Sequence, residues 1–184
     1  MKDPVHAVLI DHDDSFTFNL RHWLHQFIKH VEILNHREIT SQRFSETDLI
    51  VLSPGPKHPN DYPHILNWLK NYPFNKPIFG VCLGMQMMHV SEGGNVVSYT
   101  PPLHGKTSVL SSRDSSLNNL VVARYHSLHC DGETTFQTLA TSDDLKMWIQ
   151  HPQKKWMGVQ FHPESFLTEN TSVVQNYVKH WLVS

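Results

Sequence analysis

The sequence predicts an α/β protein with a mostly parallel central sheet flanked by helices and a smaller antiparallel section in its second half. Three observations carry this. Over the first half, short apolar runs alternate with stretches whose apolar residues recur at helical spacing, as in successive strand-helix units. After residue 95 the runs become short, closely spaced and rich in β-branched and aromatic residues, which suits antiparallel pairing. The chain has 184 residues, against roughly 150 for an average domain, and no repeat, low-complexity tract or Gly/Ser linker divides it, so residues 1–184 read as one domain.

Val5 to Ile10 is the first apolar run. Asp14 or Ser15 can then cap a helix that brings Phe16, Leu20, Trp23, Leu24, Phe27 and Ile28 to one face. Val31 to Leu34 and Leu49 to Leu52 read as the second and third strands, Ile65 to Leu69 as part of a helix, and Ile78 to Val81 as a buried fourth strand. A helix from about Gly84 to Ser91 is stopped by Gly93 and Gly94. The antiparallel section is expected to use Val96 to Tyr99, Thr107 to Leu110, Val121 to Tyr125, Phe136 to Ala140, Met147 to Ile149 and Trp156 to Phe161. Val173, Val174, Tyr177, Val178, Trp181 and Leu182 form a last helical stripe that docks back on the sheet.

Composition excludes several classes. With 39% hydrophobic and 17% charged residues the chain is globular, and no apolar run reaches the roughly 18 residues of a spanning helix. Fifteen Lys and Arg against 17 Asp and Glu give a net charge of −2, without the basic footprint of a nucleic-acid binder. The first residues lack a secretory pattern, so a cytoplasmic location is expected. Two cysteines, Cys82 and Cys130, are too few for a disulfide scaffold and read as free thiols. The 15 histidines include the pairs His22/His25 and His126/His129, but no carboxylate or thiol cluster supports a metal site, and surface imidazoles are the expectation.

Three segments carry chemistry. Gly80-Val81-Cys82-Leu83-Gly84 joins a buried strand to a helix and has the form of a nucleophile elbow with cysteine in place of serine. Such a turn strains the backbone and brings neighbouring chain so close that flanking side chains would clash. The thiol then emerges at the carboxyl end of the sheet, where the helix N-terminus favours a thiolate and the Leu83 N–H faces a developing oxyanion. Taken alone, the pentapeptide fits a structural cysteine beside a packing glycine equally well. Gly158 to Ser165 runs from a strand into a turn with His162 and Glu164 two residues apart, so that the carboxylate can orient the imidazole; an exposed loop pair is the alternative. Ser53-Pro54-Gly55-Pro56 follows the third strand and can hold an N–H rigidly toward a carbonyl, or can be an ordinary turn. Together the three segments supply nucleophile, base and oxyanion donor at the strand ends where α/β sheets bind ligands.

These segments, with residues 9–20, His104-Gly105-Lys106 and Arg124-Tyr125-His126-Ser127-Leu128, resemble the class I glutamine amidotransferase family. Within it they are similar to the glutaminase subunits of anthranilate and aminodeoxychorismate synthases. The resemblance implies a flavodoxin-like fold and hydrolysis of L-glutamine by a Cys82-His162-Glu164 triad. Gly55 and Leu83 match the oxyanion donors, and Gln86, Ser127 and Leu128 match positions that hold glutamine. It implies no cofactor or metal and, for the partner that receives ammonia, a chorismate-binding synthase subunit. The competing readings are a noncatalytic binding subunit of the same fold and a free-standing cysteine hydrolase. The chain departs from the family pattern at Lys57, where glycine is usual, at Met85, and at His12 and Asp13. Lys57 is compatible with the loop only where the backbone does not need positive φ.

Overall fold

A computed structural model describes residues 5–39, 44–72, 75–100 and 105–184. Its central sheet has eight strands. In chain order the elements that build the first half are β1 (His6–Asp11), α1 (Thr17–Leu24), β2 (His30–Asn35), β3 (Leu49–Leu52), α2 (Pro63–Lys70), β4 (Ile78–Val81) and α3 (Leu83–Ser91). The second half contributes β5 (Asn95–Ser98), β6 (Lys106–Val109), β7 (Ser111–Ser112), β8 (Val121–Arg124), β9 (Leu128–Asp131), β10 (Gln137–Ser142), β11 (Leu145–Gln150), β12 (Trp156–Val159) and α4 (Thr171–Val183).

The strand order is β2-β1-β3-β4-β12-β11-β10-β7. The first five strands run parallel and the last three add on in antiparallel fashion. Two antiparallel pairs, β5 with β9 and β6 with β8, lie apart from this sheet. The expected antiparallel section is therefore present, with one correction. Trp156 to Phe161 was expected within it, yet β12 pairs parallel with β4 and antiparallel with β11, and so joins the two regions. All four of its residues are buried, because a strand between two neighbours and beneath helices has no solvent face.

Alternation along β1 sorts the core into two layers. Ala7 and Leu9 face Leu20, Trp23 and Leu24 of α1 and Val174, Val178 and Trp181 of α4. Val8 and Ile10 face Ile65 and Leu69 of α2 and Met85 and Met88 of α3. Helices thus cover both faces of the parallel region, and the C-terminal stripe docks as expected. The first helix begins later than its predicted cap: Phe16 is the N-cap and makes no side-chain cap bond, while the Asp14 carboxylate accepts the Phe16 N–H at 2.8 Å. The helix also ends at Leu24, so Ile28 is buried from the turn that follows. No helix among the described residues is long and apolar enough to cross a membrane.

Two glycines set how closely α3 seats on the sheet. A Cβ on Gly84 would run into the Leu52 carbonyl oxygen and lie 2.6 Å from the Leu52 Cβ, and one on Gly80 would lie 2.6 Å from the Met85 nitrogen. These are backbone and Cβ contacts, which no rotamer change can relieve. Gly84→Ala is therefore expected to lower stability by about 2 kcal/mol, the cost of overpacking a rigid contact, read from the denaturant midpoint at unchanged m-value.

Candidate active site

Cys82 links β4 directly to α3 with φ 52° and ψ −104°. Positive φ at a residue with a side chain costs roughly 1–3 kcal/mol and persists only where the surroundings hold it. Here the Cys82 N–H donates to the Val159 carbonyl at 2.8 Å, and its carbonyl accepts the Gln86 N–H at 3.1 Å. The strain lifts the side chain away from the sheet, so that Sγ borders a cleft of about 360 Å³. The other cysteine differs: Cys130 is buried on β9, and burial raises its thiol pKa far above the ordinary value. Both thiols are free, as expected.

His162 lies where the chain leaves β12. Its backbone is fixed at both ends, the N–H donating to the Ala123 carbonyl at 3.0 Å and the carbonyl accepting from Thr168 Oγ1 at 2.6 Å. Glu164 Oε1 is 2.7 Å from Nδ1, and both side chains are almost wholly shielded from solvent. Phe16 and Tyr125 meet the imidazole with ring centroids 5.2 and 5.1 Å away. Burial opposes charge on His162, but the Glu164 carboxylate and its hydrogen bond, with the hydrogen bond and charge of Cys82, outweigh it and raise the pKa well above 6.5. The surroundings therefore favour the imidazolium form, with Nδ1–H committed to Glu164. Nearby, burial raises the pKa of Asp14, against the opposing effect of the Phe16 N–H and the His162 charge.

The cleft opens at the carboxyl ends of β1, β3, β4 and the loop after β12, as expected of a site in a parallel sheet. Six of the eight expected site residues border it: Cys82, His162, Gly55, Gln86, Ser127 and Leu128. Glu164 stands behind His162. Leu83 opens α3 beside Cys82, and its side chain packs where a Cβ on Gly55 would have to go. A Cβ on Gly55 would also lie 3.0 Å from the His12 Cβ, so glycine suits this position by close approach, although the Leu83 methyl could turn aside. Lys57 is exposed at the rim, and it is not among the described residues with positive φ, so its side chain is compatible with this loop. Of the motif His104-Gly105-Lys106, His104 lies outside the described residues.

Sequence reasoning did not single out Asp14, Phe16 and Tyr125 as neighbours of the cleft, nor Gln160, whose amide lies 3.6 Å from Cys82 Sγ. Gln160 stands two residues before His162 inside a segment already marked, and that adjacency was the available signal. The histidines also need correction. Besides His162, already read as the base, His12, His36, His89, His126 and His151 are buried, each with a ring nitrogen hydrogen-bonded inside the protein. His126, for example, accepts from Arg124 Nε through Nε2 at 3.0 Å and donates through Nδ1 to the Leu128 carbonyl at 2.9 Å. Among the described residues no group of three or more His, Cys, Asp or Glu side chains is arranged to hold a metal ion.

Chemically the arrangement is equipped for acyl transfer through a thiolate. It combines a strained cysteine at a helix N-terminus, an imidazolium oriented by a buried carboxylate, and two backbone segments packed against each other beside the sulfur. The family model for glutamine amidotransferase class-I matches residues 8–181, and the chain belongs to that family of enzymes. It is 36% identical over 178 residues to the anthranilate synthase component 2 of Pseudomonas putida, a match covering 88% of this chain and 90% of the relative. It is 34% identical over 184 residues to the aminodeoxychorismate/anthranilate synthase component 2 of Bacillus subtilis, covering 94% and 95%. The aminodeoxychorismate synthase component 2 of Escherichia coli is 36% identical over 173 residues, covering 88% and 92%. In fold alone, the chain is similar to the crystal structure of a glutamine amidotransferase from Thermotoga maritima, with TM-score 0.71 at 16% identity over 98% of this chain and 83% of that one.

The buried histidines give stability a two-sided pH dependence. Burial, reinforced by His36, lowers the pKa of His12 from 6.5 to about 3, and burial with the Arg124 charge lowers that of His126 to about 4. As pH falls below 6.5 the unfolded chain protonates both while the folded chain holds them neutral, so stability drops with acidification until the folded-state values are reached. His162 acts in the opposite sense: its raised pKa contributes fully below 6.5, and that contribution is lost as pH rises through the folded value. Unfolding free energy is therefore expected to peak near neutral pH, and His12→Asn to flatten the acid limb. Denaturant titrations at stepped pH check both; an acid limb of equal slope in the variant contradicts the assignment.

Proposed function

We propose that this chain is the glutaminase subunit of a chorismate-using synthase, hydrolysing L-glutamine to glutamate and passing the ammonia to its partner. The single observation that carries the reading is the convergence on one cleft of strained Cys82 and a His162–Glu164 pair at 2.7 Å. In this reading the Cys82 thiolate attacks the side-chain amide carbon, and the charge moving onto the carbonyl oxygen is met by the N–H groups of Gly55 and Leu83. Each such donor is worth about 3 kcal/mol in the transition state. The His162 imidazolium gives its Nε2 proton to the departing nitrogen, ammonia leaves, and a thioester remains. The now neutral His162 takes a proton from water, hydroxide adds to the thioester, and glutamate and the thiolate are released. Glu164 orients the ring throughout and stabilises its charged form.

Gln86, Ser127 and Leu128 border the same cleft and are assigned to holding glutamine. Residues 1–184 act as one amidotransferase domain, working in the cytoplasm without metal or cofactor. The partner is assigned from the names of the relatives, which pair a component 2 with either anthranilate or aminodeoxychorismate synthesis. Its docking rim would include the loop at Pro56 to Pro59 and the turn after His162. The segment near Pro101 to Lys106 is assigned to the same rim, and its residues 101–104 lie outside the described residues. Lys57, at the rim, is assigned to glutamine affinity and not to the chemical steps.

Three outcomes are expected with the synthase subunit present. Cys82→Ser should reduce glutamine-dependent product by at least about a thousandfold while synthesis from added ammonia survives. His162→Ala should be nearly as inactive, whereas Glu164→Gln should retain about tenfold or more above it, because the carboxylate orients and does not transfer protons. Lys57→Gly should shift the Michaelis constant for glutamine more than the turnover number. Glutamine-driven synthesis at the normal rate by the Cys82→Ser complex would refute the triad. Mixing the chain with each chorismate-binding subunit, and identifying the product formed from glutamine, assigns the partner.

A further inference from the structure

Cys82 is held by the chain leaving β12 at two points. Its N–H donates to the Val159 carbonyl, and the next residue, Gln160, directs Nε2 at Sγ from 3.6 Å, within reach for a sulfur acceptor. Gln160 is fully buried. Its amide orientation is set by its other contact, because Oε1 accepts from Gln86 Nε2 at 3.1 Å, which leaves the NH₂ group facing the sulfur. Gln86 is fixed in turn, its Nε2 also donating to the Leu128 carbonyl at 3.0 Å. That carbonyl accepts from His126, whose ring is gripped by fully buried Arg124. A continuous network, buried at both ends and half-buried at Leu128, therefore runs from the guanidinium of Arg124 to the sulfur.

We propose that Gln160 is a positioning residue for the nucleophile, a neutral N–H donor that points the Cys82 thiolate toward His162 and the cleft. The inference rests on the reading of Cys82 as the nucleophile. A buried primary amide is costly unless paired, and an apolar side chain would fill the same space without that cost. A neutral thiol is a weak acceptor, whereas a thiolate accepts strongly, so the contact has its full value only in the charged state. The chemistry of the donor suits the task. An amide N–H stabilises a neighbouring anion but does not surrender its proton at any pH the enzyme meets, so proton transfer stays with His162. The division also explains why Gln86 cannot act solely on glutamine: its NH₂ group is already shared between Leu128 and Gln160.

The test follows thiolate formation directly. The full chain is treated with iodoacetamide across a pH series, with labelling at Cys82 followed by mass spectrometry, and glutamate release is measured with the synthase subunit present. In Gln160→Met the pH profile of Cys82 alkylation is expected to move up by about one unit, so that labelling at a fixed pH below the thiol pKa slows about tenfold. Turnover should fall about tenfold or more, with the Michaelis constant for glutamine changed less than about twofold. Gln86→Met, which leaves the Gln160 amide in place without its orienting partner, should move the profile in the same direction by less, and it decides alone if thermal melting shows Gln160→Met to be unfolded. An unmoved profile in the folded variants overturns the inference, as does a raised Michaelis constant at unchanged turnover, which would place Gln160 in the glutamine pocket. Glutamine-driven synthesis at the normal rate in Cys82→Ser, with the synthase subunit present, would instead remove the nucleophile assignment on which the inference stands.

Discussion

The backbone of Cys82, at φ 52° and ψ −104°, is the constraint from which the rest of the site follows. A side-chain-bearing residue stays in such a conformation only when the parts around it leave no alternative. Those parts are β4 and β12 on one side, which fix the Cys82 N–H, and α3 on the other, which starts at the next residue. The seating of α3 depends on Gly80 and Gly84, where any Cβ would meet backbone of α3 or β3, and on Gly158, where a Cβ would lie 2.9 Å from the Cβ of Met85. Three glycines on two strands and a helix thus sustain one strained residue. The energy stored there is repaid by burial of the parallel sheet between its helices.

The electrostatic arrangement depends on the same geometry. Because β12 lies beside β4, the turn that follows it brings His162 to the end of the strand that delivers Cys82. Glu164, shielded from solvent, favours the charged imidazole and disfavours rotation of the ring. Phe16 and Tyr125 close the other sides, and the Tyr125 hydroxyl shares a 3.1 Å hydrogen bond with Ser165 on the same turn. Low local dielectric makes each of these contacts count for more than it would in water.

Much of this was legible in the sequence, and the reasons differ by element. Leu49–Leu52 and Ile78–Val81 stand out because strands buried on both faces are continuous apolar runs bounded by turn residues. The same rule applied to Trp156–Val159 identifies a central strand, but its place in sequence among short hairpin-like runs pointed to the antiparallel section. β9 was missed, since Leu128-His129-Cys130-Asp131 carries no β-branched residue and gains its strand from pairing with Asn95–Ser98 far along the chain. The three chemical segments were readable because glycine and proline punctuate them. Gln160 was not, because a lone glutamine acquires meaning only when the fold brings Gln86 and Cys82 to its two ends. Three buried histidines escaped for the same reason, since His12, His36 and His89 meet Ser53, His64 and Asp131 from distant parts of the chain, whereas His126 and His151 are held by residues two or three positions away and no composition count reveals that.

The claim that strain at the elbow creates a nucleophile for glutamine is tested most directly by covalent trapping. A diazoketone analogue of glutamine, incubated with the chain and its synthase subunit, should form one adduct on the peptide that carries Cys82. Excess L-glutamine should suppress it, and the peptide carrying Cys130 should remain unmodified. Labelling of Cys130 in place of Cys82, or labelling of Cys82 that glutamine does not slow, would contradict the account.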